Sequence, residues 1–374
     1  MEVDLTPDQE LLRDTAQKFI DAACPLSTVR RSAESPDNVP DNYLTQAAEL
    51  GWFSMLVPEE LGGGSVSGEG LRDLAVVAEE RGRVVQPGPF VSMNVVAEAL
   101  ARSGTSAQQA DVLPALGAGE AVATWAVADA SGAFSPGSAV TALPTPDGWS
   151  LDGVCGVVQD GPSADWFLVT ATAPEGLTQL LVPSTAGGVR VRPLASHDIT
   201  ARFAEVSFDG VTASADTVVG DVGLAAADVD RQLDTALVLL VAETVGTADA
   251  LLELARQYAV DRTAFGRPIG SFQAVKHQLA DLAMNLEAGK AISVAATRAV
   301  QAGAPEASEV ASMAKAWLGD NGVELAQGCF QVFGGIGYTW EHDLHLFLRR
   351  LTMNSLLFGQ PDWHRERICL IHGL

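Results

Sequence analysis

The sequence predicts a mainly helical α+β protein of three domains, in which a β domain lies between two helical domains. Helix caps and a helical pattern begin at Thr6, short alternating segments separated by turn residues begin near Glu120, and long stretches of helical period follow Val222. A chain of 374 residues also exceeds what one hydrophobic core usually holds. We therefore place three domains, at residues 1–117, 118–221 and 222–374.

The first domain opens with a helix start signal. Thr6 is a favourable N-cap residue, and Pro7 suits the first helical position. A second helix is predicted over residues 43–50, with Gly51 ending it. The glycines at 62–64 lack the preceding strand and the Lys-Ser/Thr pair of a phosphate-binding loop, so we predict a plain turn there.

The middle and last domains differ in period. Gly, Pro, Asp and Ser separate short strands in the middle domain, which is typical of an antiparallel barrel or sandwich. The predicted strands are 122–127, 149–151, 166–170, 178–182, 189–191 and 202–208. Four long helices in the last domain are typical of an antiparallel four-helix bundle. They are predicted at about 224–262, 271–301, 304–334 and 342–358, and a solvated or interface helix is expected around 363–367.

Composition excludes several classes of partner. Apolar residues make up 47% of the chain and charged residues 19%, which is typical of a folded protein with a large core. The formal net charge is −24, and no block of Lys or Arg is present. Nucleic acid and anionic membrane surfaces are therefore not expected as partners.

Neither a metal site nor a disulfide framework is predicted. The four cysteines are scattered, without Cys-x-x-Cys spacing or a nearby histidine cluster. His342 and His345 are three residues apart beside Glu341 and Asp343, but no third ligand is recognisable, so we predict no metal. The first residues lack the basic start and apolar run of a signal peptide. We expect a cytoplasmic protein.

One segment has the composition of an anion-binding loop at a helix end. Arg262 follows a predicted helix, and a guanidinium there can form paired hydrogen bonds with pyrophosphate oxygens. Gln273 lies in the first turn of the next helix, where backbone N–H groups already favour anions. Phe265 offers a ring to line the same pocket. In a second segment, Gly334 and Gly335 follow Gln331 and let the backbone approach a bulky ligand closely.

These two segments, residues 261–273 and 331–338, resemble the acyl-CoA dehydrogenase family, and the resemblance extends over nearly the whole chain. It implies a three-domain fold with an N-terminal helical domain, a middle antiparallel β domain and a C-terminal four-helix bundle. It also implies FAD as the cofactor and α,β-desaturation of an acyl-CoA thioester as the reaction. The family assigns Arg262, Phe265, Gln273, Gln331, Gly334 and Gly335 to the FAD bound chiefly by a neighbouring subunit.

The chain departs from the family where the reaction needs a base. The two positions at which the family carries its catalytic glutamate are Phe358 and Ala236 here, and neither side chain can accept a proton. In the β domain, Val157 and Gln159 replace the tryptophan and the hydroxyl residue that lie against the flavin ring. Glu243 is on the same helical face as Ala236, but about 10 Å farther along the axis. A structural salt bridge or subunit contact is the preferred interpretation of Glu243.

We therefore predict one subunit of a hetero-oligomeric acyl-CoA dehydrogenase. A homologous partner would carry the catalytic glutamate, an acyl-CoA would be the substrate, and an electron-transferring flavoprotein would accept the electrons. The segment 338–345 resembles actinobacterial heterotetramers that shorten steroid side chains, which implies a steroid side-chain CoA ester by analogy alone. Two alternatives stay open: a self-sufficient homotetramer that uses Glu243 as its base, and a non-enzymatic binding or scaffold protein.

Overall fold

The computed structural model describes residues 5–33, 35 and 39–374. The described residues of the N-terminal part form seven α-helices, and Thr6 caps the first of them by accepting a hydrogen bond from the backbone N–H of Gln9. A buried aromatic group, in which Trp52 meets Phe19 and Phe90 edge to face, fills the space between these helices. The helices are α1 (Pro7–Ala23), α2 (Leu26–Ser32), α3 (Tyr43–Glu49), α4 (Gly70–Gly82), α5 (Phe90–Ser103), α6 (Ser106–Asp111) and α7 (Leu113–Gly117).

The middle part is a sheet of eight strands that encloses a core of its own. Seven of the strands follow the order β6-β7-β3-β2-β4-β5-β8, and β1 pairs with β4. The strands are β1 (Ala123–Ala126), β2 (Val140–Thr145), β3 (Gly148–Gln159), β4 (Trp166–Ala173), β5 (Gly176–Pro183), β6 (Val189–Leu194), β7 (Phe203–Ser214) and β8 (Val218–Val219).

The sheet is mixed rather than purely antiparallel as expected. β1 runs parallel to β4, and β2 also meets β4 in a parallel register through Thr141 and Thr172. Alternation of apolar residues tells which face of a strand is buried, but it carries no information about the direction of the neighbouring strand. Two strands, β2 and β8, were absent from the prediction, because Pro144 weakens the strand signal of β2 and β8 has only two residues.

Five helices form the C-terminal part, and a short two-stranded hairpin joins the first two. In chain order, the helices and the two strands of the hairpin are α8 (Ala226–Asp261), β9 (Thr263–Ala264), β10 (Arg267–Pro268), α9 (Gln273–Gln301), α10 (Ala307–Phe333), α11 (Leu344–Leu356) and α12 (Pro361–Ile371). The predicted helix around 363–367 is present as α12, and its His364 is fully buried. The mainly helical α+β fold class expected above is therefore observed, whereas the boundaries at 117 and 221 stay a prediction.

Helix α8 is the central helix of the molecule. It is long and apolar enough to cross a membrane by length and composition, but 83% of its most apolar window is buried inside the protein. It packs closely on α4 through two glycines. A Cβ on Gly246 would lie 1.9 Å from the carbonyl oxygen of Glu79, and a Cβ on Gly82 would lie 2.1 Å from that of Glu243. One hydrophobic core therefore extends from the N-terminal helices into the bundle.

Candidate functional site

The predicted anion-binding loop is a β-hairpin at the C-terminal end of α8. Arg262 follows the last helical residue, and its backbone N–H still donates to Tyr258. Phe265 and Gly266 form the two-residue turn between β9 and β10, with φ of 54° and 80°, as a type I′ turn requires. A phenylalanine in this conformation is strained, and its side chain is 95% exposed. The hairpin thus presents an aromatic ring to the outside.

The guanidinium of Arg262 is open to solvent. Arg262 is exposed, and among residues 5–33, 35 and 39–374 its guanidinium makes no salt bridge or hydrogen bond. Nearby Arg267 lies over the ring of Phe272 instead, 4.1 Å from its centroid. Gln273 begins α9 and is exposed as well. An arginine and a helix N-terminus are therefore open to an external anion.

The second predicted segment lies at the end of α10. Gln331 is exposed in the last turn, and Gly334 ends the helix with φ of 65° and ψ of −144°. A Cβ on Gly334 or on Gly335 would meet no atom within 4 Å. The structure therefore leaves open space beside this backbone.

Both segments lie at one end of the bundle. The ring of Tyr258, near the end of α8, stacks on Phe333 at the end of α10, with centroids 4.3 Å apart. In α9, Gln278 donates a hydrogen bond to the backbone oxygen of Gly328 in α10. The end of α8, the start of α9 and the end of α10 consequently form one surface, which carries Arg262, Phe265, Gln273, Gln331, Gly334 and Gly335.

A cavity of about 530 Å³ lies between the sheet and the C-terminal helices. Val157 and Gln159, the two positions that depart from the family in the β domain, line it. So does the turn Ser131–Phe134. Phe358, one of the two positions of the family's base, is also part of the wall. The cavity therefore brings together the positions that the family resemblance assigns to the flavin ring and to the base.

Aromatic rings line one side of the cavity, around Phe358. Phe358 stacks on Trp125, with centroids 6.1 Å apart, and Phe134 meets both Phe358 and Trp363 edge to face. Among the described residues, Asp362 is the one carboxylate of the lining, and its side chain is 94% exposed and paired with Arg365. This wall offers no buried group that could take a proton from a substrate carbon.

Lys315 and His364 fix the backbone around Phe358 through contacts with its carbonyl oxygens. Phe358 has φ of 54°, and the following Gly359 has φ of 100°. Lys315 donates to the carbonyl oxygens of Ser355 and Gly359, at 2.8 and 2.7 Å, and a ring nitrogen of His364 lies 3.0 Å from the carbonyl oxygen of Phe358. These contacts hold the loop in a conformation that a free chain would rarely adopt.

Burial lowers the pKa of both supporting groups. Desolvation lowers the pKa of Lys315 to about 7, and a neutral amine still has two hydrogens for its two carbonyl partners. Desolvation, aided by the nearby Lys315, lowers the pKa of His364 to about 3. The imidazole is therefore neutral at neutral pH.

The other two candidate base positions lie away from the cavity. Ala236 is fully buried within α8 and packs into the hydrophobic core. Glu243 is buried in an ion-pair network, in which Arg350 donates to it at 3.0 Å and to Asp198 at 2.6 Å. Asn354 donates to the same Glu243 oxygen at 3.1 Å. Arg350 and Asn354 therefore already engage the carboxylate of Glu243 by hydrogen bonds inside the protein.

Several contributors were not predicted from sequence. Trp125, Phe134 and Trp363 form the aromatic wall, and Lys315 supports the loop. Trp363 was expected in a solvated or interface helix, and the other three were not singled out. One signal was available, since Lys315 is a lysine among small and apolar residues in the middle of α10. Within the described parts of the chain, no group of three His, Cys, Asp or Glu is placed to hold a metal ion, and His345 stacks on Trp340.

In a comparison with known proteins, both helical parts of the chain match domains of the same family. Residues 6–120 match the model of the acyl-CoA dehydrogenase N-terminal domain, and residues 227–369 match that of the acyl-CoA dehydrogenase C-terminal domain. The acyl-CoA dehydrogenase IpdE2 of Mycobacterium tuberculosis is 32% identical over 364 residues, which cover 96% of this chain and 95% of the relative.

Two solved structures of multi-subunit relatives are also similar. A variant of the Tcur3481-Tcur3483 steroid ACAD is 28% identical with a TM-score of 0.87, and the alignment covers 98% of this chain and 97% of that one. The ChsE4-ChsE5 complex from Mycobacterium tuberculosis is 25% identical with a TM-score of 0.91, and the alignment covers 100% of this chain and 99% of that one.

Proposed function

The chain belongs to the acyl-CoA dehydrogenase family, and from this premise we propose that it is one subunit of a hetero-oligomeric acyl-CoA dehydrogenase. A homologous partner subunit carries the catalytic glutamate and most of the FAD site. The present chain adds Arg262, Phe265, Gln273 and the segment 331–335 to that cofactor. The complex is cytoplasmic, and its substrate is an acyl-CoA thioester, with a steroid side-chain ester favoured by the likeness to the steroid ACAD.

The observation that carries the proposal is the contrast between the two halves of the site. The bundle end fits part of FAD, because an unpaired exposed arginine and an open glycine pair suit a pyrophosphate. The cavity does not fit the reaction, because Phe358 occupies the position of the base. Bound FAD supplies the hydride acceptor in such enzymes, and an electron-transferring flavoprotein takes the electrons onward. In the proposal this chain orients the cofactor and leaves proton removal to its partner.

The alternative with Glu243 as a relocated base receives no support from the geometry. Arg350 and Asn354 occupy its bound oxygen, and the small cavity that Glu243 lines holds only about 20 Å³. A carboxylate engaged in this way would have to leave an ion pair to accept a proton. Its contacts are those of a structural residue.

The test is to co-express the chain with a homologous subunit that has the catalytic glutamate, and to count flavins per chain. We expect half as many flavins as chains. The complex should oxidise an acyl-CoA, and the lone chain should not. Arg262→Ala should weaken flavin retention about 10- to 100-fold, the effect of losing a charge-assisted hydrogen-bond pair. Arg231→Ala, an exposed arginine at the other end of α8, is the matched control and should change nothing.

Two outcomes would overturn the proposal. A lone chain that purifies with one flavin per subunit and oxidises an acyl-CoA is a self-sufficient enzyme. A complex without flavin, in which Arg262→Ala has no effect, contains a scaffold protein instead.

A further inference from the structure

We propose that a buried charge cluster, formed by Arg81, Asp160, Asp198, Glu243 and Arg350, is a joint that takes up one proton at Asp160 and thereby tightens the contact between the sheet and the helices. The inference is independent of the flavin contacts proposed above, because none of the five residues belongs to the surface at the end of the bundle.

Four of the five charges balance one another. Arg350 donates to Asp198 at 2.6 Å and to Glu243 at 3.0 Å. Arg81 donates to three neutral oxygens, on Tyr43, Gln86 and Pro87. Two guanidiniums thus accompany two carboxylates before Asp160 is counted. Because an unpaired buried charge is costly, an ionised Asp160 is a surplus negative charge that one proton would remove.

Asp160 has few contacts that favour its ionised form. It follows the last residue of β3, and the hydroxyl of Ser92 in α5 donates to its Oδ2 at 2.9 Å. Among the described residues, no donor contacts its other oxygen. Asp198, by contrast, accepts three hydrogen bonds. Of the carboxylates in the cluster, Asp160 therefore loses little by becoming neutral.

The surroundings of Asp160 act on its proton in both directions. Burial raises the pKa of its carboxyl group from 3.8 to about 6. Ser92 and the guanidiniums of Arg81 and Arg350 oppose this rise, and the carboxylate of Glu243 adds to it. The side chain of Arg202, whose carbonyl oxygen accepts from the backbone N–H of Asp160, donates to the backbone oxygens of Ala33 and Ser35.

A cavity of about 20 Å³ inside the cluster limits what can enter it. Asp160, Asp198, Glu243 and Arg350 line this cavity. A space of this size holds one water molecule and no organic ligand. A metal ion there would lie beside the guanidinium of Arg350 and be repelled by it. A proton is therefore the positive charge that fits the cluster.

The cluster joins all three parts of the chain. Asp160 belongs to the middle part, Ser92 lies in α5 of the N-terminal part, and Arg350 lies in α11 of the C-terminal part. The small cavity also shares a wall with the cavity beside Phe358, made of Gln159, Phe203, Met353 and Leu357. Loss of the proton should therefore loosen both the joint and this wall.

The first test is urea unfolding of the full chain and of Asp160→Asn between pH 5 and pH 8. Asparagine resembles the neutral acid and tolerates the φ of 55° at this position. The native carboxyl group, with its pKa of about 6, binds more protons than the unfolded one, so stability falls as pH rises through about 6. The unfolding constant of the unmodified chain, divided by that of Asp160→Asn, should rise about tenfold across this window.

Two further variants test the cluster rather than the single residue. Glu243→Gln removes a carboxylate, so an ionised Asp160 then completes a balanced set. The change in stability with pH should move to lower pH in this variant, and this shift decides the question if Asp160→Asn is unstable. Asp147→Asn, at an exposed aspartate in the turn between β2 and β3, is the matched control and should keep the pH dependence of the unmodified chain.

Hydrogen exchange measured by mass spectrometry tests the location. Residues 157–163 should exchange about tenfold faster at pH 8 than at pH 5, once the intrinsic pH dependence of exchange is removed. Asp160→Asn should lose this difference. Replacing sodium chloride by choline chloride at equal ionic strength should change neither readout, because no metal ion is involved.

The proposal is wrong if the ratio of unfolding constants is flat between pH 5 and pH 8, or if exchange in residues 157–163 does not follow it. Loss of the pH dependence in choline chloride would assign the cluster to a metal ion and overturn the proposal as well. The flavin count of the co-expressed complex tests the proposed function separately, and neither result decides the other.

Discussion

The buried ion-pair network around Arg350 should respond very differently to the loss of each of its two carboxylates. Asp198 is fully buried and accepts three hydrogen bonds, from Nε of Arg350 at 2.6 Å and from the backbone and hydroxyl of Thr200 at 2.8 and 2.6 Å. Glu243 accepts one bond from Arg350 at 3.0 Å and one from Asn354 at 3.1 Å. We expect Asp198→Asn to be the more harmful change.

The magnitudes follow from what each variant leaves behind. In Glu243→Gln, the amide oxygen can still accept from Arg350 and Asn354, and Asp198 still balances the guanidinium. The loss is then the charged part of one hydrogen bond, about 1–2 kcal/mol in the free energy of unfolding. In Asp198→Asn, the new amide NH2 group faces either Nε of Arg350 or the two donors of Thr200, whichever way the amide is turned. Disrupting a buried pair in this way costs about 3–5 kcal/mol.

The assay has two readouts. Urea unfolding followed by tryptophan fluorescence gives the stability of the chain, and acyl-CoA oxidation by the co-expressed complex gives its activity. Glu205→Gln removes an exposed ion pair with Arg192 and serves as the control, with no measurable change expected. Glu243→Gln should retain turnover at temperatures where the variant is folded. If it abolishes turnover while stability is unaltered, Glu243 is the base and our interpretation of the network is refuted.

Three further predictions concern packing and protonation. Lys315→Met leaves two buried carbonyl groups without donors and should destabilise the chain by about 2–4 kcal/mol in the same urea titration. Between pH 7 and 10.5 the native chain binds fewer protons at Lys315 than the unfolded chain does, so its stability relative to Lys315→Met should rise with pH across this window. If the difference in stability between the two proteins does not change with pH, the buried amine keeps its ordinary pKa of 10.5. Gly246→Ala places a methyl group 1.9 Å from a backbone oxygen of α4 and should lower the melting temperature by several degrees. Gly303→Ala is the control: it adds the same methyl group at an exposed turn with positive φ, where no atom lies within 4 Å.

Periodicity identified the long helices α8, α9 and α10, because each repeats an apolar face over many turns, but it missed the short strands β2 and β8. It could not supply the parallel pairing of β1 with β4, since strand neighbours are set by tertiary contacts. The residues around Arg262 predicted a loop between two helices, and the structure shows a β-hairpin there. The aromatic wall of the cavity was different, because Trp125 and Phe358 are far apart in the chain and meet only in the folded protein.

The contacts of Lys315 and His364 around Phe358 fix the backbone of the loop without involving its side chain. Lys315 and His364 contact main-chain oxygens, so the path of the backbone does not depend on which side chain projects from position 358. The side chain at position 358 can therefore be exchanged while the scaffold stays in place, so two proteins that share this loop can present different chemistry to the cavity.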